Sequence, residues 1–554
     1  MDAKPVCIIE YFDGAKQNVI PLFQRPYTWD KSKWKTLWED ILNHCGTDED
    51  NQSHFMSAVV SMPYKSVPVG VNKHLIIDGQ QRLTTLALLL CSLRNAFKDA
   101  KDDQNVNRLD DFLCNRHYSG PDNLKLLPTQ GDRDPYFKIV KGQTENMAQH
   151  RMLECCTWFS AQIADAHDPG NGTPLTLEAL LNTITHSLQV VMINLGDIDD
   201  PYQIFESLNF KGEPLTQADL VRNFVLMKFQ AAAGEGGDQE RVYQKYWLPL
   251  ETCIPESDEL AEFFRHYASR RGKNVKKPKV YSEIKELFKS AECSEIELEQ
   301  MLRHGEFYRR LTHPDLEPVP EIKGKLERLS DASVCYPLLL RLFDGFQKRQ
   351  LDLEDLLECL SVIDSVVLRR AVLQVIRGPL NKLFIALAGD YPSEGALFWL
   401  RKQLSGKLRT ERWPRDDEFI AGLVNTPIYG AKPARSILEA NERDLEGKEP
   451  VEMSKMTVEH IMPQTLNAEW RCNLGAEAED IHKKWLDTIG NLTLTGYNPE
   501  LSNQVFSAKA KKLAQSTFQM NRKIAEEREW GVEQIRKRAE AIAAAAVKFW
   551  PGPE

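Results

Sequence analysis

The stretch HLIIDGQQRLTTLALLL, residues 74–90, predicts a buried strand, a tight turn and a buried helix in immediate succession. A short β-branched run precedes the turn, and a long leucine-rich run follows it. Asp78 and Gly79 form the turn. An aspartate at such a junction caps helix N–H groups, and a glycine lets the backbone approach a ligand closely. The stretch therefore indicates mixed α and β structure in this part of the chain.

Three polar side chains begin the predicted helix. Gln80, Gln81 and Arg82 stand on its first turn, where unpaired N–H groups and the helix dipole favour an anion. A guanidinium adds bidentate recognition of phosphate. The sequence contains no GxxxxGK(S/T) motif, which excludes a Walker-type phosphate loop. Two interpretations stay open: an anion site of another design, or a turn and helix cap without a ligand.

The segment IPLFQRPYTWDKSKWKTLWEDI, residues 20–41, lies upstream of this turn. Its proline-bounded start predicts extended chain, which carries Gln24 and Arg25. The rest predicts an amphipathic helix, because large apolar residues recur at helical spacing. The residues predicted for its buried face are Trp34, Leu37, Trp38 and Ile41.

The chain of 554 residues is long enough for three to four domains. Short apolar runs alternate with helical stretches up to about residue 245, which predicts mixed α and β structure. Long segments of helical period follow, and short mixed segments rich in Asn, Gly and Pro close the chain. We therefore predict a multidomain α+β protein with domains at residues 1–245, 246–440 and 441–554, the second of them mostly helical.

The charge balance bears on possible partners. The chain has 70 Lys+Arg and 80 Asp+Glu, a net charge of -10, which excludes a protein that holds nucleic acid through bulk positive charge. One local stretch, RHYASRRGKNVKKPK at residues 265–279, has seven basic residues and no acidic one. It fits either a solvated loop or a track for DNA phosphates. The candidate phosphate contacts are Arg270, Arg271, Lys276 and Lys277.

Targeting signals and cysteines indicate the compartment. The N-terminus MDAKPVCIIE lacks the pattern of a signal peptide, and the most apolar long stretch, residues 83–93, is too short to cross a bilayer. Eleven cysteines with no CxxC pair indicate reduced thiols rather than a zinc ribbon. We expect a soluble cytoplasmic protein that does not contact a membrane.

The C-terminal region carries the sharpest chemical pattern. VEHIMPQ at residues 458–464 places Glu459 beside His460, and on extended chain adjacent side chains point to opposite sides. Phosphodiester hydrolysis needs two separate functions: a base that takes a proton from water, and a divalent cation that neutralises charge on the phosphate. His460 suits the base, since its ordinary pKa is near neutrality. Glu459 and the amide oxygen of Asn498 suit a hard cation such as Mg²⁺.

The order EHIMPQ, then GNLTLT, then Asn498 resembles the HNH (ββα-metal) nuclease motif of CRISPR effector nucleases. It resembles still more the C-terminal domain of the GmrSD-type, modification-dependent (type IV) restriction enzymes, which include BrxU-like and phosphorothioate-sensing SspE-like proteins. The resemblance implies a bound Mg²⁺ or Mn²⁺. Glu replaces the commoner Asp, and Asn replaces a final His. The implied roles are metal ligand for Glu459 and Asn498, general base for His460, support of the base-bearing loop for Asn491, and phosphate contact for Asn503 and Lys509.

The strand–DGQQR–helix pattern with FQRPYTW upstream resembles the ParB/sulfiredoxin-like N-terminal domain of the same family. The resemblance implies binding and hydrolysis of a nucleoside triphosphate, with GTP as one candidate, and sensing of DNA modification. A third block, FESLNFKGEPLTQADLVRNF at residues 205–224, has Arg222 where Lys is expected. The implied nucleotide-binding residues are Asp78, Gly79, Gln80, Gln81, Arg82, Asn209 and Asp219. Gln24, Arg25, Tyr27 and Trp29 are implied in modification sensing or nucleotide binding.

These expectations combine into a modification-dependent DNA endonuclease or nickase of anti-phage defence, whose N-terminal domain regulates a metal-dependent HNH nuclease by NTP turnover. Its partners would be modified double-stranded DNA and a nucleoside triphosphate, and a homodimer is one candidate assembly. Two alternatives stay open: a nucleotide-dependent DNA-binding sensor with a vestigial nuclease site, and an RNA-cleaving HNH toxin. The modification recognised is also open among glucosylated, hydroxymethylated and phosphorothioate DNA.

Overall fold

A computed structural model describes most of the chain and divides it into two compact units, Met1–Pro249 and Leu250–Glu554. The predicted edge near residue 245 lies close to this division, and the further edge near residue 440 stays a prediction. The molecule is mostly helical, with a mixed sheet in the first unit. The described residues are 2–45, 54–63, 70–145, 147–168, 174–196, 216–230, 237–290, 293–376, 378–407, 411–445, 453, 455–496 and 501–553.

The described strands of the first unit form one mixed sheet in the order β1-β6-β3-β4-β2-β5. β4 is antiparallel to β3 and parallel to β2, and it lies in the interior of the sheet. β3 and β6 are parallel, and β1 pairs antiparallel with β6 at one edge. The strands are β1 (Asp2–Cys7), β2 (Lys16–Val19), β3 (His54–Pro63), β4 (Asn72–Asp78), β5 (Leu126–Leu127) and β6 (Leu188–Asn194).

The helices of the first unit pack around one long helix, α3, which follows β4 after a single glycine. The predicted strand–turn–helix is thus confirmed, and α3 is buried on nearly every face between its neighbours. The predicted buried face of α2 is also confirmed. The helices are α1 (Ile8–Phe12), α2 (Lys31–His44), α3 (Gln80–Asp99), α4 (Asp103–Leu113), α5 (Gln130–Val140), α6 (Arg151–His167), α7 (Leu177–Asn182), α8 (Gln217–Gln230) and α9 (Gly237–Val242).

The second unit begins as a helical array, in agreement with the periodicity of the sequence. The division between the units falls within α10 (Leu248–Cys253). The helices that follow are α11 (Ser257–Ser269), α12 (Val280–Ser290), α13 (Ser294–Thr312), α14 (Pro320–Leu329), α15 (Tyr336–Gln347), α16 (Leu353–Val372), α17 (Gly378–Gly389), α18 (Ala396–Ser405), α19 (Asp416–Asn425) and α20 (Lys432–Leu445).

The end of the chain adds a two-stranded antiparallel sheet, β7 (Thr457–His460) and β8 (Leu492–Thr495), followed by a helix α23 (Phe506–Leu513). Between the strands lie α21 (Ala468–Leu474) and α22 (Ala478–Trp485), and after α23 come α24 (Gln519–Ala525) and α25 (Val532–Phe549). α25 packs its alanine-rich face on α19 and α20. The strands and the preceding helices therefore share one apolar core.

No helix in the described part of the chain is long and apolar enough to span a membrane.

Candidate functional site

His460 is the last residue of β7 and is held by its pairing with Leu492 of β8. The neighbouring pair is Glu459 with Thr493. The imidazole is 3% exposed and the Glu459 carboxylate is half-buried. Because the strand alternates its side chains, the His460 imidazole and the Glu459 carboxylate lie on opposite sides of a short two-stranded ribbon.

Two residues from outside the strand fix the imidazole of His460. Its Nε2 lies 2.9 Å from Oδ1 of Asp487, and the Tyr429 ring packs on it with ring centroids 4.1 Å apart. Burial lowers the pKa of His460, and the Asp487 carboxylate opposes that shift. The ring is thus held in one orientation, with one nitrogen committed to a carboxylate.

Lys509 of α23 contacts both of the last two residues of β7. Its Nζ donates to the backbone oxygen of His460 at 2.9 Å and lies 4.0 Å from Oε1 of Glu459. Burial raises the pKa of Glu459, with Lys509 opposing the shift, and burial lowers the pKa of Lys509 to about 8. The ammonium points inward at this carbonyl, so the phosphate contact predicted for Lys509 is not presented at the surface.

Asn491 ties the loop after His460 to the second strand. Its Oδ1 accepts from Met462 N at 2.7 Å and from Trp530 Nε1 at 3.1 Å, and its Nδ2 donates to the oxygens of Met462 and Leu486. The residue is fully buried. Asn491 therefore holds the loop that follows β7, since Met462 lies two residues beyond His460.

Arg538 of α25 holds the turn that carries Asn491. Its Nη1 donates to the backbone oxygens of Ile489, Gly490 and Leu492. Burial lowers the pKa of Arg538 to about 9. A Cβ on Gly490 would lie 2.1 Å from Ile535 O of the same helix, so the turn sits against α25 at a distance that only glycine permits.

A hard divalent cation fits part of this donor set. The Glu459 carboxylate is half-buried, and the only cation within 4.0 Å of it in the described chain is Lys509. Asn498, the second predicted ligand, lies outside the described residues. No group of three His, Cys, Asp or Glu side chains with metal-binding geometry is found in the part of the chain that the structure describes.

In the first unit, the FQRPYTW segment lies directly on the DGQQR turn. Gln24 Nε2 donates to Ile77 O, and Gln80 Nε2 donates to Gln24 Oε1, both at 2.8 Å. Gln81 accepts from Thr28 N at 2.9 Å and donates to Pro26 O at the same distance. The two motifs are thus one site, in which the buried amides of the predicted nucleotide-binding Gln80 and Gln81 hold the segment.

The Tyr27 side chain anchors the same segment in the core. Its hydroxyl lies 2.8 Å from Thr85 Oγ1 and accepts from Trp34 Nε1 at 2.8 Å. Tyr27 N donates to the buried Asp132, which also accepts from Thr129 Oγ1. Trp29 is half-buried against this core.

The turn itself leaves charged groups near its surface. Gly79 has φ +93°, and a Cβ there would lie 3.1 Å from Val59 Cγ2 and 3.3 Å from Ala58 O. Arg82 donates to Ala58 O at 2.7 Å and is half-buried, as are Asp78 and Arg25. Burial lowers the pKa of Arg82, and Asp78 opposes that shift. A phosphate that reached this turn would meet Arg82 at the first turn of α3.

The third block is described only at its end. Asn209 lies outside the described residues. The Asp219 carboxylate accepts from the backbone N–H and the hydroxyl of Thr216 at the start of α8. Arg222 is buried and donates to Leu22 O at 3.1 Å, which links α8 to the segment before FQRPYTW.

Comparison with known families matches both ends of the chain. The model of the GmrSD restriction endonuclease N-terminal domain matches residues 8–226, and that of the GmrSD restriction endonuclease C-terminal domain matches residues 413–545. The chain belongs to the GmrSD restriction endonuclease family. No curated protein matched it.

Membership in the GmrSD family makes the chain a restriction endonuclease homologue, a nuclease whose substrate class is DNA. The N-terminal match contains FQRPYTW, DGQQR and most of α8. The C-terminal match contains β7, β8 and α23, and it begins before α19, so it includes Tyr429 as well as His460. The predicted edge at residue 441 lies inside this match.

The GmrSD-family chain presents its basic stretch unevenly. Arg270 is buried, 3.5 Å from the Tyr267 ring centroid and 3.5 Å from Glu297, so its guanidinium is turned inward. Arg271 is exposed and shares Glu297. Lys277 pairs with Glu262 at 2.7 Å, and Lys276 is exposed. In the C-terminal region Asn503 is also exposed, and its backbone oxygen accepts from Asn467.

Sequence reasoning missed four residues that shape these sites: Asp487, Tyr429, Arg538 and Asp132. Asp487 stands four residues before the Asn491 of the GNL turn, a spacing that was a usable signal. The others act across long separations in the chain, and nothing in the neighbouring sequence marks their partners.

Proposed function

We propose that this protein is a modification-dependent DNA endonuclease or nickase of anti-phage defence, with an HNH-type, metal-dependent active site regulated by a nucleotide at the N-terminal turn. The observation that carries the nuclease proposal is the His460–Asp487 contact at the end of β7, with Glu459 on the other side of the same strand. The antiparallel pairing of β7 with β8 and the presence of α23 after β8 support a ββα-metal arrangement, with α21 and α22 inserted between the strands.

In this proposal His460 is the general base. With its Nε2–H donated to Asp487, its Nδ1 carries the lone pair that takes a proton from the attacking water. The Asp487 carboxylate fixes this tautomer and stabilises the imidazolium formed by the transfer. Asn491 and Lys509 keep the strand end in place through Met462 and the His460 carbonyl.

Glu459 would hold the divalent cation, together with Asn498, and Mg²⁺ or Mn²⁺ suits these oxygen donors. Such a cation would neutralise charge on the phosphate and the leaving oxygen. The Glu459 carboxylate is desolvated and its pKa is raised, so a second positive charge, in addition to that of Lys509, would stabilise its ionised form.

The N-terminal turn is the proposed nucleotide site. Arg82 and Arg25 are the candidate phosphate-binding cations, with Asp78 beside Arg82 and Gly79 allowing close approach of a phosphate. Gln24, Gln80 and Gln81 position the FQRPYTW segment rather than face a ligand. Because this segment is bonded to the turn, nucleotide binding there would be communicated to the proposed sensing residues Tyr27 and Trp29.

Contact with DNA outside the cleavage site is assigned to exposed cations. Arg271, Lys276 and Lys277 lie at the surface, whereas Arg270 supports the fold. Two of the three surface cations are paired with glutamates, so we expect a modest contribution to DNA affinity.

A sensor without nuclease activity is the second candidate, and the Lys509–Glu459 contact favours it. An ammonium 4.0 Å from the carboxylate competes with a divalent cation for the same charge.

One experiment separates these functions. Plasmid DNA is incubated with wild-type protein or His460→Ala, with Mg²⁺ or Mn²⁺, with and without GTP or ATP, and with modified and unmodified DNA. We expect metal-dependent nicking of modified DNA that falls about 10²- to 10⁴-fold in His460→Ala. Equal rates in both proteins would contradict the nuclease proposal. Cleavage of RNA instead would identify the toxin alternative.

A further inference from the structure

A cavity of about 770 Å³ lies in the second unit, apart from the residues assigned above. Its walls come from the end of α14, the 3-10 turn Ser333–Cys335, the C-terminal half of α16 with the residues that follow it, α17, and the start of α20. This volume is within the range that binds small organic ligands.

The charged groups of the cavity are mostly arranged in pairs. Arg328 lies 3.0 Å from Asp364, and Lys432 lies 2.5 Å from Asp331. Asp364 also accepts from Trp550 Nε1 at 2.9 Å, and burial raises its pKa. A desolvated carboxylate that already has one ion pair and one hydrogen bond offers little further attraction to a cation.

Arg370 supplies an excess positive charge. It lines the cavity and is 2% exposed, and its guanidinium donates to the backbone oxygens of Arg412 and Ile376 at 3.2 Å. In the described part of the chain no carboxylate pairs with Arg370, although Glu411 acts on its charge from beyond ion-pair distance, and its Nε has no hydrogen-bond partner. The cavity therefore has three cations against two acids, and a buried charge of this kind favours an anion.

The rest of the cavity combines a helix start with apolar walls. Gly430, with φ +73°, and Ala431 line the cavity and lead into the first turn of α20, whose N–H groups add partial positive charge. The apolar side chains of the walls include Val334, Val367, Leu368, Val375, Ile376 and Leu380. The lining suits a ligand with an anionic end and an apolar body.

One segment, residues 427–432, joins this cavity to the candidate base. Gln374 of the cavity wall donates to Pro427 O at 3.3 Å. The next two N–H groups, of Ile428 and Tyr429, donate to Asp487 O at 2.8 and 3.2 Å, and the Tyr429 ring packs on His460. The segment then lines the cavity from Gly430 to Lys432. A ligand that moves this wall would also move two residues that hold the imidazole.

We propose that the cavity binds a small phosphate monoester with an apolar body, and that residues 427–432 transmit its binding to His460. The binding part of the proposal is independent of nuclease activity, and the transmission part rests on the proposed function. Phenyl phosphate is the probe, since it has both chemical halves and no nucleoside to direct it to the N-terminal turn.

Binding is measured on the full chain in EDTA by saturation-transfer NMR of the phenyl protons. We expect saturable binding to wild type that Val367→Phe abolishes by filling the cavity. Lys432→Ala should weaken it about tenfold by removing one charge-assisted contact. The matched control is Lys348→Ala, because Lys348 and Lys432 are each 47% exposed and paired with an aspartate, and Lys348 does not line the cavity.

Unchanged binding in both cavity variants, or no saturable binding to wild type up to about 10 mM ligand, overturns the site. Lys432→Ala guards against misfolding, since it alters a half-exposed side chain. For the transmission, phenyl phosphate should change the plasmid-nicking rate of wild type, and Lys432→Ala should need about tenfold more ligand to reach half of that change. A wild-type rate that does not respond overturns the transmission. If no nicking occurs under any condition, the proposed function fails while the binding result still decides the cavity.

Discussion

Nε2 of His460 lies 2.9 Å from Oδ1 of Asp487, although 27 residues separate the two along the chain. The imidazole is buried and the carboxylate is 44% exposed, so the carboxylate lies on the solvent side of the ring. The backbone of Asp487 is held in turn by the N–H groups of Ile428 and Tyr429. The arrangement ties the orientation of the His460 ring to a loop that is remote in sequence.

Replacing Asp487 by Asn keeps an acceptor of similar shape and removes the charge. We expect the nicking rate to fall about 10- to 100-fold, because the imidazolium loses its counter-charge and the ring loses its enforced tautomer. DNA affinity, measured by fluorescence anisotropy, should stay unchanged. Asp480→Asn, an exposed aspartate on α22, is the matched control. Equal losses in the two variants would show that Asp487 has no special role.

The pH dependence of cleavage has a defined sign. Burial lowers the pKa of His460, and a general base acts only when it is neutral. On acidification, activity should therefore decline only at pH values below the ordinary pKa of histidine, about 6.5. In Asp487→Asn the imidazolium is less stabilised, so the acidic limb should move to still lower pH. A profile of kcat/KM from pH 5 to 8 measures both, and a shift toward higher pH in the variant would contradict the arrangement.

Gly490 permits the close approach of the GNL turn to α25. A Cβ there would lie 2.1 Å from the backbone oxygen of Ile535, which cannot yield as a side chain would. Gly490→Ala should destabilise the protein by about 1–3 kcal/mol or more in urea unfolding. In Gly496→Ala the nearest atom, Met456 Cε, lies at 3.5 Å, so this control should change stability little.

Two buried histidines of the second unit make its stability depend on pH. Burial lowers the pKa of His266 and of His304 to about 3. In the unfolded chain each of these histidines has a pKa near 6.5. Between about pH 3 and pH 6.5 the unfolded state therefore binds more protons than the folded state, so the stability of the folded state falls as the pH drops below 6.5. Each histidine contributes a slope of about 1.4 kcal/mol per pH unit there. Urea midpoints from pH 7 to 4 should decline less steeply in His266→Gln than in wild type, and an equal decline in the two proteins would contradict the prediction.

Gln81 fastens the FQRPYTW segment to α3 through Thr28 N and Pro26 O. Gln81→Ala leaves both backbone groups without these partners, which should destabilise the first unit by about 1–3 kcal/mol. Calorimetric titration with a nucleoside triphosphate should also show weaker binding, if the segment shapes that site. Gln104→Ala, an exposed glutamine on α4, should alter neither quantity.

Local sequence predicted the parts of these sites that local physics determines. The strand–turn–helix at Gly79 followed from β-branched and leucine-rich runs, and the buried face of α2 followed from helical spacing. The opposite placement of Glu459 and His460 followed from the alternation of an extended strand.

What local sequence did not predict depends on tertiary approach. Tyr429 reaches His460 because α19 and α20 share a core with the strands, and no pattern near Tyr429 specifies that. The family resemblance implied a phosphate contact for Lys509, yet its helical position faces the His460 carbonyl. A lysine on an amphipathic helix is read correctly only when the partner of its buried face is known.

One apolar core limits how this protein can be divided into fragments, because it is shared by α16, α19, α20, β8 and α25. The last helix covers Phe419 and Ile437, and Arg369 of α16 donates to the backbone oxygen of Trp550 near the chain end. Residues 441–554 therefore do not form a unit that can be moved to another protein. In a fusion they would lack half of the buried residues of this core, so a fragment that keeps the core has to begin upstream of α16.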